Sequence, residues 1–379
     1  MSVDHLTQLR RTLHQNPEIA EQESATAERI LNFFDLLKPD QTFLNLGGHG
    51  LAFLFKGGNS GIRTLYRCEL DALPIAEQGE KDHKSQVSGK AHLCGHDGHM
   101  AILCGLGERL AEQRPENGEV VLLFQPAEET GQGAKEVLAD PRFGQIRPEQ
   151  AFALHNLPGF PLHQVVMKTG TFAAGSTGIT ISLLGKTSHA AHPEAGINPA
   201  QAMAKLIQIL PMLPEKLEGF GLVTLIHAEL GSKAFGTSAG AGSLSATIRA
   251  FDQEELEKLI HLAKEEAESI AKEYGLKVEF SFQESFAVSK NDPEVTQLGK
   301  KVIQGMGLDI IEKAEPFRWS EDFGLFTQVC PAFLFGLGAG TNCPQLHEPT
   351  YDFPDELIET GVKIFEGIVR SIHGKTPSG

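Results

Sequence analysis

Three strand-like runs each lead into residues that carry chemistry, and this repetition narrows the fold more than any other feature of the chain. Residues 62–68 run into Glu69-Leu70-Asp71, residues 119–125 into Pro126-Ala127-Glu128-Glu129, and residues 151–154 into His155. Runs of this length bounded by Gly and Pro predict strands, and the unbroken apolar stretch at 119–125 suits a central strand buried on both faces. Polar groups just past the carboxyl ends of several strands mark the edge where an open α/β sheet keeps its ligand crevice. Residues 51–55 predict a further strand, joined to 62–68 by the turn Gly57-Gly58-Asn59-Ser60-Gly61, and residues 332–335 another. Helices are expected over Val3, Leu6, Leu9 and Leu13, from about Ser24 to Pro39, from Asp292, and from Pro354.

From 178 to 286 the pattern changes. Strands are predicted at 178–184, 222–230, 243–251 and 277–282. A helix opens at Asn198-Pro199, and another at Asp252-x-x-Glu255, which resembles a capping box. The order β-α-β-β-α-β is that of the ferredoxin-like unit. The chain therefore divides into a first domain, residues 1–175 and 288–379, interrupted by an inserted domain, residues 176–287. At 379 residues, two domains are also what length suggests.

The densest chemistry lies at His92-Leu93-Cys94-Gly95-His96-Asp97-Gly98-His99. Three imidazoles, a thiol and a carboxylate within eight residues, just ahead of the apolar helical positions Leu106 and Leu110, suit a divalent metal at the mouth of a helix. No paired Cys-x-x-Cys is present, so a catalytic rather than a structural metal is indicated. Glu128-Glu129 offers one carboxylate as ligand and one as base, the two side chains leaving an extended segment in different directions. Alone, His155 and His347 read equally as hydrogen-bonded structural histidines, and His189 as a surface-loop histidine. Gly336-Leu337-Gly338-Ala339-Gly340 is no dinucleotide fingerprint, because Pro344 and the His347 loop leave no room for the helix it requires.

The formal charge of −16 argues against nucleic acid or an anionic membrane as partner. No apolar run reaches the roughly 18 residues of a membrane span, and Met1-Ser2-Val3-Asp4-His5 lacks the order of a signal peptide. Five cysteines without framework spacing point to a reducing, cytoplasmic setting.

Together the motifs resemble the metallopeptidase M20 family in its amidohydrolase branch, which holds aminoacylases, hippurate hydrolases and auxin-conjugate hydrolases. The resemblance runs through Arg10-Arg11-x-Leu13-His14-x-x-Pro17-Glu18, Leu70-Asp71-Ala72-Leu73-Pro74-Ile75, the His92–His99 stretch and Gln125-Pro126-Ala127-Glu128-Glu129. It continues through Gly185-Lys186-x-x-His189-Ala190-Ala191, Ser320-Glu321-Asp322-Phe323 and Leu346-His347-x-Pro349. It implies an α/β catalytic domain with a mixed sheet and an inserted lid that mediates homodimers or homotetramers. It also implies two divalent ions, Zn²⁺ or Mn²⁺. Cys94 would bridge them, with His96 and His155 completing one and Glu129 and His347 the other. Glu128 would be general base and then proton donor, His189 an oxyanion donor, Asp71 the residue steering a ligand imidazole, and Arg249 a contact for the substrate carboxylate. The implied reaction is hydrolysis of the amide bond of a small N-acyl amino acid or related conjugate.

Three positions depart from the family pattern: Glu69 and Glu194 stand where Asp and His are usual, and no Asn occurs near Gly236. Substrate preference is therefore not carried over from the family. The competing readings are a di- or aminopeptidase of the same family, a hydrolase using Cys94 as nucleophile, and a metal- or ligand-binding protein without turnover.

Overall fold

The computed structural model describes residues 4–375, so Val3 of the first expected helix lies outside the described residues. The chain separates into two compact units, residues 1–172 with 289–315 and 322–379, and residues 173–288 with 316–321. The segment 316–321, expected with the C-terminal part of the first domain, groups with the second unit. Phe317 forms a β-bridge with Ala173, and its carbonyl accepts the Ala174 N–H at 2.9 Å.

The first unit is built on an eight-stranded mixed sheet. Its order is Gln41–Leu46, Gly50–Lys56, Asn117–Gln125, Asn59–Glu69, Gln150–Leu157, Ala332–Gly338, Val165–Met167 and Ile310–Glu312. Asn117–Gln125, Asn59–Glu69, Gln150–Leu157 and Ala332–Gly338 run parallel, so their carboxyl ends share one edge. Val120 to Phe124 are wholly buried, as a strand covered on both faces must be. The strands Gly50–Lys56 and Asn59–Glu69 are not partners as the turn between them suggests, because Asn117–Gln125 lies between them, antiparallel to the first and parallel to the second. Helices Asp4–Gln15, His96–Glu112 and Leu357–His373 share one core with the sheet through Leu6, Leu13, Met100, Leu103, Leu106, Phe365 and Ile368. His96–Glu112 is buried nearly all round, and it needs small residues to be so. A Cβ on Gly105 would meet Val362 at 2.5 Å, and one on Gly361 would meet Ile102 at 2.6 Å.

The second unit holds a four-stranded antiparallel sheet in the order Gly221–Leu230, Ala241–Ala250, Gly175–Leu184, Lys277–Phe286. Helices Ala200–Ile209 and Gln253–Glu273 cover one face, so the chain order is β-α-β-β-α-β. Leu244, Ala246, Ile248 and Ala250 are buried in alternation, which places Arg249 on the opposite face. Asp252 caps its helix as expected, accepting the Glu254 N–H at 2.9 Å. In the Gly/Ala/Ser-rich link after Leu230, Thr237-Ser238 pairs with Ser188-His189.

Candidate metal centre

Helix His96–Glu112 begins at the parallel-strand edge of the first unit, and Gly95 makes that start possible. Its φ is 97°, a left-handed value, and a Cβ there would strike the Asn156 side chain at 2.4 Å. Cys94 and His96 are thereby turned toward the strand Gln150–Leu157. His155 lies inside that strand rather than beyond its end, with its Nε2 3.6 Å from Cys94 Sγ.

Both buried imidazoles are oriented by backbone carbonyls. His96 Nδ1–H donates to Asp71 O at 2.8 Å, and His155 Nδ1–H donates to Asn156 O at 2.9 Å. That fixes the tautomer and leaves each Nε2 lone pair aimed inward, the arrangement a metal-ligating histidine needs. His96 is wholly buried, yet its Nε2 makes no hydrogen bond. The nearest carboxylates stand off, Glu128 Oε2 at 3.8 Å and Glu129 Oε1 at 3.9 Å. Glu129 Oε2 lies 3.6 Å from His347 Nε2. These gaps are too long for hydrogen bonds. Bonds of 2.0–2.3 Å to a tetrahedral ion would separate its donors by roughly 3.3–3.8 Å, close to the spacing seen.

The donors fall into two groups that share one thiol. Cys94, His96 and His155 have ligand atoms within 4.8 Å of one another, and so do Cys94, Glu129 and His347. A third group joins His96 to both Glu128 and Glu129. Burial works against positive charge on His96, but Glu69, Glu129 and Asp71 outweigh it and push its pKa up to about 9, so Nε2 holds either a proton or, in its place, a bound cation. The surroundings therefore favour positive charge at this point. Thiolate, imidazole and carboxylate donors together fit a divalent metal ion.

Asp71 organises the glutamates as well as His96. Its Oδ1 accepts the Glu128 N–H at 3.1 Å and its Oδ2 the Glu129 N–H at 2.9 Å. The pair sits in a turn, not in the extended segment expected, because Ala127 takes a left-handed φ of 51°. His347 is also left-handed, at φ 68°, and its N–H is tied to Leu93 O at 2.8 Å. Non-glycine residues in this region are strained, and such strain concentrates at functional sites.

The other two imidazoles of the dense stretch belong to neither of the Cys94 groups. His92 is buried with neither ring nitrogen hydrogen-bonded, and burial pushes its pKa down to about 3, so it is a dry neutral ring. His99 is bracketed by Glu69 Oε2 and Asn156 Oδ1, each at 2.6 Å. Glu69 also groups with His96 and His99, but its carboxylate is committed to the fully buried Arg67, which also binds Asp322. The sequence reading missed Arg67 and Asn156; only the run of buried polar residues at a strand end could have suggested them. His189 and Arg249 belong to the second unit. His189 is exposed and its Nδ1 accepts the Ala191 N–H at 3.0 Å. Arg249 donates to Arg318 O at 3.1 Å and to Ser320 Oγ at 3.0 Å.

The sequence profile of peptidase family M20/M25/M40 matches residues 65–371. An N-acetyldiaminopimelate deacetylase of Lactobacillus acidophilus is 31% identical, over 97% of this chain and 98% of its own. Among solved structures, the YxeP protein of Bacillus subtilis, described as a dinuclear metal-binding peptidase of the M20 family, superposes with a TM-score of 0.83 at 25% identity, covering 99% of both chains. An aminobenzoyl-glutamate utilization protein of Klebsiella pneumoniae shares the fold, with a TM-score of 0.74 at 19% identity over 97% of this chain and 95% of its own. No helix among the described residues is long and apolar enough to cross a membrane.

Proposed function

The chain belongs to peptidase family M20/M25/M40 and is a metal-dependent hydrolase of amide bonds, and from that premise we propose that it is an N-acyl-amino-acid amidohydrolase with a dinuclear centre. The observation that carries this reading is the sharing of Cys94 between two donor groups, His96 with His155 and Glu129 with His347. Divalent ions held there would supply Lewis acidity and an activated water.

Glu128 is the general base. It is buried near the donors, and its backbone is held by Asp71 while Glu129 faces His347. It takes the proton of the attacking water and passes it to the leaving amine. His189 donates to the oxyanion of the tetrahedral intermediate, and Arg249 is the contact for the substrate carboxylate. The second unit acts as a lid and as the surface for homo-oligomerisation. The Lactobacillus relative supports a small acyl group on an amino acid as substrate.

The test is a screen of N-acyl amino acids, N-acetyldiaminopimelate among them, and of dipeptides, on protein shown to hold two ions per chain. Hydrolysis of an N-acyl amino acid is expected. Failure on every member of the panel with both ions bound would remove the activity, and turnover of dipeptides alone would make the protein a peptidase. The 3.6 Å approach of Cys94 to His155 also suits a thiol nucleophile with its base. Chelation separates the two, since only the metal reading predicts that an added divalent ion restores activity.

A further inference from the structure

We propose that Glu23 is a positioning residue that holds the 127–129 turn, and with it the Glu128 carboxylate, by accepting the backbone N–H of Ala127. The catalytic part of this inference rests on the reading of Glu128 as general base. Glu23 Oε1 accepts the Ala127 N–H at 2.8 Å, from a side chain with no exposure to solvent. The next two amides, of Glu128 and Glu129, are accepted by the two oxygens of Asp71. Three successive N–H groups are therefore directed at two buried carboxylates that come from positions 23 and 71.

Ala127 needs such a hold. A left-handed φ of 51° brings its Cβ against the following carbonyl, a conformation that alanine abandons unless its surroundings enforce it. The turn is closed on its other side by Gly133 N–H donating to Ala127 O at 3.0 Å. Gly133 has no room for a side chain, since a Cβ there would fall 1.6 Å from Pro126 O.

Glu23 does not spend its acceptor on its own helix. It occupies the position preceding helix Ser24–Asp35, where a side chain ordinarily caps the first turn, yet it makes no such bond. That task falls to Glu18, whose Oε2 accepts the Thr26 N–H at 2.7 Å. The second oxygen of Glu23, Oε2, is buried without a hydrogen bond. A carboxylate kept in so unfavourable a place, yet bonded across more than a hundred residues of chain to Ala127, is explained by what Ala127 carries.

Without the Glu23 acceptor, Ala127 is free to leave the left-handed region. The peptide that follows rotates, and the Glu128 carboxylate moves from its place beside the Asp322 N–H, 3.4 Å away. Ångström-scale misplacement of a reacting group costs on the order of 10²-fold in rate.

Four variants test this: Glu23→Ala, Glu23→Gln, Glu23→Asp and the double variant Glu23→Ala with Ala127→Gly. Amide hydrogen exchange across 127–129 is followed in metal-free protein. kcat, KM and ions bound per chain are then measured with metal, on the N-acyl amino acid turned over best. In Glu23→Ala, protection of these amides is expected to be lost and kcat to fall on the order of 10²-fold, with KM and both ions retained. Glu23→Gln, which keeps the acceptor and loses the charge, recovers most of that loss. Glu23→Asp keeps the charge but not the reach and behaves as Ala; it serves also if Glu23→Ala does not fold. The added glycine restores part of kcat, because Gly adopts the left-handed turn unaided. Wild-type exchange and kcat in Glu23→Asp, or equal losses in Gln and Asp, would overturn the proposal. An active Glu128→Gln enzyme would overturn the general-base reading alone, since exchange in metal-free protein reports the Glu23 bond by itself.

Discussion

His14 should make this protein lose stability in mildly alkaline solution. Arg10 and His14 stand four residues apart on the buried face of helix Asp4–Gln15, and both grip Asp97, the residue after His96. His14 Nδ1 is 2.8 Å from Asp97 Oδ2, and its Nε2 is 3.3 Å from Glu77 Oε1. Burial opposes the charged ring and Arg10 adds to that opposition, but Asp97 and Glu77 prevail and push its pKa from 6.5 up to about 9. A folded-state value above the unfolded one means that protonation stabilises the fold. The contribution is complete below pH 6.5 and is lost as the pH climbs through 9. At 1.36 kcal/mol per unit, a shift of this size amounts to roughly 3 kcal/mol. That is a large share of a native stability of about 5–15 kcal/mol. Urea unfolding of the metal-free protein and of His14→Gln, followed by far-ultraviolet circular dichroism between pH 6 and pH 10, measures it. The advantage of wild type over the variant should shrink by about 3 kcal/mol across that range. A difference that stays constant with pH would show that the ring is neutral in the fold, and the ion-pair reasoning would be wrong.

The remaining predictions concern the metal centre. Glu128→Gln should keep both ions by elemental analysis and lose about 10²–10⁴ in kcat, whereas Glu129→Gln should lose an ion; the reverse pattern would exchange the roles of the two glutamates. Cys94→Ala should weaken both ions together, read as a fall in metal content and in resistance to a chelator, because both donor groups share that thiol. Loss of a single ion would deny it a bridging place. His189→Ala should lose about 10²–10³ in kcat with metal content unchanged, and near-wild-type turnover would remove it from the mechanism.

Much of the fold was legible because buried parallel strands announce themselves. The stretches Val120–Phe124 and Ala151–Leu154 are unbroken apolar runs that the structure buries completely, and the run ending at Glu69 is buried from Thr64 onward despite Arg67. The strand Gln41–Leu46 escaped notice for the opposite reason. It lies at the edge of the sheet, with Gln41, Thr42, Leu44 and Asn45 exposed, and so carries neither alternation nor an apolar run. The glycine-rich turn at 57–61 correctly marked a change of direction, but a turn says nothing about which strand comes to lie alongside. Asn117–Gln125 takes that place from about fifty residues further on.

Within the metal centre, what the sequence could not supply was the direction of each lone pair. His92, His96 and His99 are the same residue type within eight positions, all buried, and they have three different fates. His96 turns Nε2 inward because Nδ1 is taken by the carbonyl of Asp71, twenty-five positions earlier. His99 has Glu69 on one side and Asn156 on the other. No acceptor reaches either nitrogen of His92, which burial keeps uncharged. Spacing along a loop can nominate donors, but an imidazole is poised to bind an ion only when a backbone carbonyl occupies its other nitrogen. For His96 that carbonyl is Asp71's, two residues past strand Asn59–Glu69, and for His155 it is the next one in its own strand. Exchanging the dry ring for glutamine should therefore leave metal affinity close to wild type, while His96→Gln should abolish binding at one of the two positions.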